Sequence, residues 1–467
     1  MVSHSPSSSL LRPLVVLIPG IGGSVLADAG GRTVYDVNVS KGAARAFDPA
    51  VLAIDNELHA MRLISSYGIA FKQLVTGYEN LWSALVQRLG LSQVDTAVAG
   101  ERLIRPNASL LAFPYDFRQS VAHTAELLDR ELRRRAQGRP VVLVGHSMGG
   151  LVAAWWWAFL SDGIEVKEIL TLGTPYRGAA KALDVLVNQL SFSGLRLSGI
   201  TEVIRGWNSV FDLLPHCQVV EKGTGHCYPY ELLSAVTSVV PDFAARARKA
   251  YAANKELHKR LEERASREGN PLTLYYSQGH ATLSRTVLKS GALTVLKEPP
   301  SWLPREWDSG DGTVPMFSAI PHFLEGSARA WRRLPQKHLG LVEADAVANH
   351  LGGYGLRPLS AAARGGRDEG RGAYLCVDLD DTVPANEVRT VAVRVLGADG
   401  SPVIAKDVGL LASGHRVRGE RDRESWKVTL PPLDSGVHKV TIQAVGLPGG
   451  SRAVFHGRVG AVSCENE

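Results

Sequence analysis

The stretch Val141-Val142-Leu143-Val144-Gly145-His146-Ser147-Met148-Gly149-Gly150 decides the fold. Four consecutive apolar residues closing on a glycine read as a strand buried on both faces, as in a parallel sheet covered by helices. Leu151 to Leu160 follows as a helix-length apolar segment, and Ile169-Leu170-Thr171-Leu172, closing on Gly173, reads as the next strand. Strand, helix and strand with short turns make a βαβ unit. Upstream, Leu14-Val15-Val16-Leu17-Ile18 is another such strand, ending in Pro19-Gly20. Apolar spacing predicts helices over 80–89 and 125–136 that would cover the sheet, with Asn80 as the N-cap of the first.

From Tyr176 to about Arg267 this rhythm breaks. The segment mixes helical stretches with two Gly-rich pieces and shows no clear buried strand, which is the texture of a cap or lid inserted over the sheet. Within it, Leu183 to Leu197 is apolar and poor in charge, suited either to a mobile lid or to a buried cap. Leu272 to Tyr276 resumes the strand pattern. Near Ala361 the sequence AAARGGRDEGRG is small, charged and Gly-rich, like a linker. After it come short alternating runs at Tyr374–Leu379, Thr390–Leu396, Trp426–Leu430, Val437–Val445 and Ala453–Val459, separated by turn residues. They predict a small antiparallel β-sandwich, Ig-like in type. The expected division is an α/β catalytic unit over 1–360 with its insertion at 176–267, a linker at 361–372 and a sandwich at 373–467.

The composition fits this picture. The chain has 467 residues, 45% hydrophobic and 21% charged, ordinary values for a globular protein. A formal charge of +6 over this length is mild. It leaves room for transient contact with an acidic membrane surface without demanding it. The basic cluster Arg133-Arg134-Arg135 with Arg139 reads as a solvated helix face, and no zinc-finger or RRM pattern accompanies it, so no nucleic-acid partner is expected. Four cysteines are too few for a disulfide scaffold. The start of the chain lacks a basic n-region and a long apolar core, and no stretch approaches the length of a membrane span. The expected compartment is the cytoplasm.

Gly145-His146-Ser147-Met148-Gly149 fits G-x-S-x-G, and its flanks are those a nucleophile elbow needs: a buried strand before, a helix after. Glycines at 145 and 149 permit the sharp turn, which lifts Ser147 to the helix N-terminus, where developing negative charge is favoured. A serine hydroxyl needs a base, itself oriented by an acid. Asp311, in Ser309-Gly310-Asp311-Gly312-Thr313-Val314-Pro315, is the candidate acid, because flanking glycines let backbone amides reach its carboxylate; Asp308 is the rival. Three histidines follow before the linker. His338, in Leu334-Pro335-Gln336-Lys337-His338-Leu339, is the candidate base; His322 comes only eleven residues after Asp311, and His350 sits near the domain end. An oxyanion hole would use the Met148 amide and one from the loop Pro19-Gly20-Ile21-Gly22-Gly23-Ser24, with Ile21 the candidate donor. That loop lacks the Lys and the glycine spacing of a phosphate-binding loop.

With these residues in hand, the chain resembles the lecithin:cholesterol acyltransferase (LCAT) family. That family includes lysosomal phospholipase A2 and phospholipid:diacylglycerol acyltransferase. The resemblance rests on residues 19–24, Pro114-Tyr115-Asp116-Phe117-Arg118, residues 145–150, Leu172-Gly173-Thr174-Pro175-Tyr176-Arg177-Gly178, residues 310–315 and residues 334–339, all in the family's order. It implies an α/β-hydrolase with Ser147, Asp311 and His338 as the triad and Ile21 and Met148 as oxyanion donors. It also implies a lipid ester as substrate, with the acyl group carried on Ser147 to water or an alcohol. Phe117 stands where the family usually has Trp, and the sandwich lies outside the resemblance.

No cofactor or metal is expected. His216-Cys217 and His226-Cys227 carry zinc-ligand types, but adjacent ligands are awkward and C-x₂-C spacing is absent. Two incidental cysteines, a zinc site and a Cys217–Cys227 disulfide all remain open at this point. Trp155-Trp156-Trp157 cannot share one helix face, since successive positions turn by about 100°. The alternative to an acyl-transferring enzyme is an interaction protein. Its sandwich would dock a membrane or protein partner, and its hydrolase module would be dormant or regulated, as in a bacterial defence effector.

Overall fold

The computed structural model describes residues 12–462, apart from 37–47, 70–71, 92–94, 193–194, 197, 305–306, 335, 344, 353–372, 381 and 398–400. The expected linker at 361–372 therefore lies outside the described residues.

The central sheet is built from β1 (Leu14–Ile18), β2 (Thr96–Val98), β3 (Leu110–Ala112), β4 (Val141–His146), β5 (Val166–Leu172), β6 (Leu272–Ser277) and β7 (Trp331–Leu334). Across the sheet they run β7-β6-β5-β4-β1-β3-β2, and every neighbouring pair is parallel. The apolar runs are continuous because both faces are covered. Leu14, Val16 and Ile18 enter one core with Leu128, Leu132 and Trp156. Val15 and Leu17 enter the opposite core with Tyr78, Leu81 and Leu85. The register pairs Ile18 with Gly145. The loop after β1 and the turn after β4 thus emerge side by side at the carboxyl edge, where such sheets place their sites.

Helix α1 spans Tyr78–Arg88, starting two residues before the predicted span, with Gly77 rather than Asn80 at the N-cap; Asn80 is exposed on the first turn. The earlier start comes from a backbone contact that sequence spacing does not report. Gly77 and Tyr78 donate to the carbonyls of Ser65 and Ile64 at 2.9 and 3.0 Å, and a Cβ at 77 would sit 2.6 Å from the Ile64 oxygen. Helix α2 (Val121–Arg135) is capped by Ser120, whose hydroxyl accepts from His123 N–H. Its basic cluster is consumed internally: Arg133 pairs with Asp129, and Arg134 and Arg135 both pair with Glu131. Helix α3 (Met148–Phe159) carries the three tryptophans in different directions. Trp156 and Trp157 are buried, while Trp155 packs on Phe159.

Residues 176–267 hold helices Ala180–Asn188, Ser198–Gly206, Asn208–Asp212 and Ser234–Thr237, then the long α4 (Phe243–Glu268). They also hold a hairpin of Val220–Lys222 and Gly225–Cys227. This hairpin is completed into a four-stranded sheet by Arg285–Lys289 and Ala292–Leu296. Three-residue strands leave no periodicity to read. The later part of α4 covers the main core through Leu257 and Leu261, and Arg264 donates to the Trp157 carbonyl of α3 at 2.7 Å. Cys217 and Cys227 are both free thiols.

The C-terminal region is a β-sandwich. One sheet orders Tyr374–Asp378, Arg389–Leu396, Ser425–Leu430 and Glu420–Asp422; the other orders Thr382–Pro384, Ala453–Val462, Gly436–Val445, Asp407–Ala412 and His415–Arg418. Alternate residues such as Val391, Val393, Val395, Leu410 and Ile442 fill its separate core. Among the described residues, no helix is long and apolar enough to cross a membrane.

Candidate active site

Ser147 closes β4 and begins α3 with φ 53° and ψ −125°. A non-glycine residue in this region costs of order 1–3 kcal/mol and persists only where its surroundings hold it. The holding contacts are its own N–H to the Leu172 carbonyl at 2.8 Å and Gly150 N–H to the Ser147 carbonyl at 3.0 Å. The surrounding glycines are required sterically. A Cβ at Gly149 would lie 2.4 Å from the Ile18 and Pro19 carbonyl oxygens, and one at Gly150 would lie 1.8 Å from Thr174 Oγ1. Met148 is the first residue of α3, so its amide has no acceptor within the helix.

The loop after β1 turns tightly, with Gly23 N–H donating to the Gly20 carbonyl at 3.0 Å. Gly22 has φ +70°, a conformation that favours glycine. Gly20 packs on the elbow: a Cβ there would meet Ser147 Cβ at 2.8 Å. Two buried phenols brace this loop. Tyr115 Oη donates to the Pro19 carbonyl at 2.8 Å, and Gly20 N–H donates to Tyr78 Oη at 2.7 Å.

Asp311 and His338 meet at 2.7 Å, Oδ2 to Nδ1. The other carboxylate oxygen accepts from the Thr313 and Val314 amides at 2.9 and 2.7 Å. His338 N–H also donates to the Asp311 carbonyl at 2.8 Å, which fixes the two loops together. Burial pushes the Asp311 carboxyl up, but the His338 ring and the two amides outweigh it and hold it below its ordinary value. The pair fits because β5 ends in Gly173. This residue has φ +59°, and a Cβ on it would lie 2.7 Å from Asp311 Oδ2 and 3.0 Å from His338 Nδ1.

His146 ties the elbow to this pair. Tyr78 Oη, already accepting from Gly20, has one proton to give and faces His146 Nδ1 at 2.8 Å. His146 Nε2 faces the His338 carbonyl at 3.1 Å and so donates to it. The two imidazoles are 4.9 Å apart. Burial and the neighbouring His338 ring push the His146 pKa down to about 3, so it stays neutral and keeps this tautomer.

The family described as lecithin:cholesterol acyltransferase matches residues 93–242, a span that holds Pro114–Arg118, the elbow and the Gly173–Gly178 turn. Over this span the chain resembles the LCAT family, and its fold is that of an α/β-hydrolase. A chain of the Tle4–Tli4 complex is similar in structure at 13% identity and TM-score 0.53, covering 73% of this chain and 98% of that one. The Bacillus licheniformis lipase BlEst2 in mature form is similar at 12% identity and TM-score 0.33, covering 73% of this chain and 91% of that one. The lin2722 product of Listeria innocua is similar at 10% identity and TM-score 0.32, covering 73% of this chain and 93% of that one. No curated protein matches the chain.

In this α/β-hydrolase fold the rival site residues are engaged elsewhere. Asp308 pairs with Arg394 at 3.0 Å. His322 pairs with Glu325 at an exposed position. His350 sits between Tyr275 Oη and Glu168, 3.0 Å from each. Pro114–Arg118 is structural at its end: the buried Arg118 guanidinium binds Asp116 and the Asn56 carbonyl. Sequence reading missed Tyr78, Tyr115, His146 and Gly173 as parts of the site. The signal for Gly173 was present, a glycine closing a buried strand. Tyr78 gave none, since its partners are 58 and 68 residues away.

Proposed function

We propose that the chain is a serine esterase or lipase of LCAT type that cleaves a lipid ester, with a phospholipid as the favoured substrate, and passes the acyl group to water or an alcohol. His338 Nε2 takes the Ser147 hydroxyl proton as Oγ attacks the ester carbonyl. Asp311 accepts His338 Nδ1–H and stabilises the imidazolium. The Ile21 and Met148 amides receive the oxyanion. As the carbon–oxygen bond to the leaving alcohol breaks, His338 returns the proton to that alcohol, leaving acyl-Ser147. Water or an acceptor alcohol then repeats the sequence and frees the serine. Residues 1–360 act as the catalytic unit, with 176–267 capping the sheet and 373–467 as a separate sandwich.

The observation that carries this reading is the Asp311–His338 pair at 2.7 Å, tied to the elbow of the strained serine through the His146 Nε2 contact with the His338 carbonyl at 3.1 Å. The test is labelling by a fluorophosphonate probe together with turnover of p-nitrophenyl esters and phospholipid vesicles. The wild-type chain is expected to be labelled. Ser147→Ala is expected to lose both labelling and turnover, by about 10⁴–10⁶-fold in kcat. A folded wild-type chain that neither reacts with the probe nor turns over any ester defeats the reading.

A further inference from the structure

The C-terminal sandwich meets the hydrolase at the loops that carry Asp311 and His338. Its strand Tyr374–Asp378 lies along residues 279–281: Val377 N–H donates to the Gly279 carbonyl at 2.6 Å and Ala281 N–H to the Val377 carbonyl at 3.2 Å. Approach this close needs Gly279, whose φ is +104° and whose Cβ would sit 2.2 Å from the Leu375 oxygen. The same segment is stitched to the acid loop. His280 and Gly310 exchange N–H···O bonds at 3.1 and 3.0 Å. Gly279 N–H donates to Ser309 Oγ, and Gly312 N–H to Thr282 Oγ1, each at 2.9 Å. The next strand of the sandwich, Arg389–Leu396, presents Arg394 to Asp308 Oδ2 at 3.0 Å. Asp308 is 8% exposed, and its other oxygen accepts from Ser309 N–H at 2.6 Å. On the base side, Lys337, the neighbour of His338, donates to the Leu379 carbonyl at 2.7 Å.

We infer that the sandwich is a positioning element of the active site: Arg394, acting through Asp308, and the backbone of Val377 hold the Asp311 loop in register with His338. This rests on the Ser147–His338–Asp311 reading above. Arg394 touches none of the reacting groups, so it is a positioning residue. A buried carboxylate stays buried only while paired. Without Arg394 the Asp308 charge is stranded three residues from Asp311, and the loop relaxes toward water. Since a 1 Å misplacement of a catalytic group costs up to about a hundredfold, a partial loss of register is expected to lower kcat about tenfold. KM should hold, because the change acts on the position of the Asp311 loop and Arg394 itself touches none of the reacting groups.

The test uses full-length Arg394→Gln, Arg394→Lys and Asp308→Asn, with Lys297→Ala as an interface control. Lys297 bridges Asp378 and Asp380 at the exposed rim of the same interface. All are assayed on p-nitrophenyl butyrate and with the fluorophosphonate probe, below the thermal midpoint of each. Arg394→Gln is expected to lose about tenfold in kcat and in labelling rate with KM within about twofold, Arg394→Lys to recover most of it, and Lys297→Ala to match wild type. Should Arg394→Gln not fold, Asp308→Asn decides, because it breaks the ion pair from the loop side, keeps the side-chain shape and leaves the half-exposed Arg394 to water; loss of the tether without a stranded charge is expected to give a smaller but still kcat-selective loss. Wild-type kcat in the folded Gln and Asn variants overturns the inference. So does a loss taken in KM, or an equal loss in Lys297→Ala. A wild-type chain that resists the probe marks failure of the parent reading, and this inference falls with it.

Discussion

Replacing Tyr78 with phenylalanine removes one oxygen from a side chain that is 1% exposed and leaves the ring packing in place. Two groups lose their partner, the Gly20 amide at 2.7 Å and His146 Nδ1 at 2.8 Å. An unpaired buried polar group costs about 1–3 kcal/mol, so the pair is expected to cost about 2–6 kcal/mol, near the lower figure if water fills the space. The loss also reaches the chemistry. Gly20 precedes Ile21, the proposed oxyanion donor, and losing one such donor outright costs about 10²–10³ in kcat. A loop that is loosened but not removed should cost about tenfold to a hundredfold, with KM little changed. The assay is p-nitrophenyl ester turnover and fluorophosphonate labelling below the thermal midpoints of both proteins, alongside the melts themselves. Both reactions build negative charge on an oxygen at the same place, so both should slow in parallel. A Tyr78→Phe chain with wild-type kcat and an unshifted midpoint would refute the bracing role of the phenol. A lowered midpoint with wild-type kcat would leave Tyr78 a packing residue only.

Asp311→Asn keeps the shape of the acid but places an amide where His338 needs an acceptor, so the imidazole is held in the wrong tautomer. By analogy with other triads kcat should fall about 10⁴-fold, while the Thr313 and Val314 amides keep an oxygen to bind; retained activity within tenfold would contradict the assignment. Stability should fall on acidification. The folded pKa of His146 is about 3, and those of His216 and His258 are about 4. Below the ordinary histidine value of 6.5 the unfolded chain therefore binds protons that the folded chain refuses. Each such group removes up to about 1.4 kcal/mol per pH unit as pH drops from 6.5 toward its folded value. Asp212, whose carboxyl is raised to about 6 by burial, works the other way between 6 and its ordinary 3.8. His322 and Asp311, both lowered on folding, add to the loss, and Asp184, raised by burial, adds to the opposing side. The groups that resist protonation still outnumber the raised carboxyls, so urea midpoints measured from pH 7 to 4 should decline, and a flat or rising series would overturn this account.

The local part of this protein was written in its sequence. Apolar runs closing on glycine gave β1, β4 and β5 because a parallel strand buried on both faces has nowhere to put a polar residue. The turn from β4 into α3 was legible because its glycines lie within a few residues of Ser147, and the sandwich strands because a half-buried sheet must alternate. Asp311 and His338 could be selected by residue type, loop setting and family resemblance. What only the tertiary structure decided is who stands next to whom across long separations. Tyr78 reaches Gly20 and His146, Gly173 makes room for the Asp311–His338 pair, and Arg394 reaches Asp308 from 86 residues away. Such contacts form where parallel strands and the β-sandwich converge, and neither periodicity nor spacing along the chain encodes that convergence. The helix beginning at Tyr78 shows the same limit: a backbone docking of Gly77 and Tyr78 on Ser65 and Ile64, not a capping side chain, set where it starts.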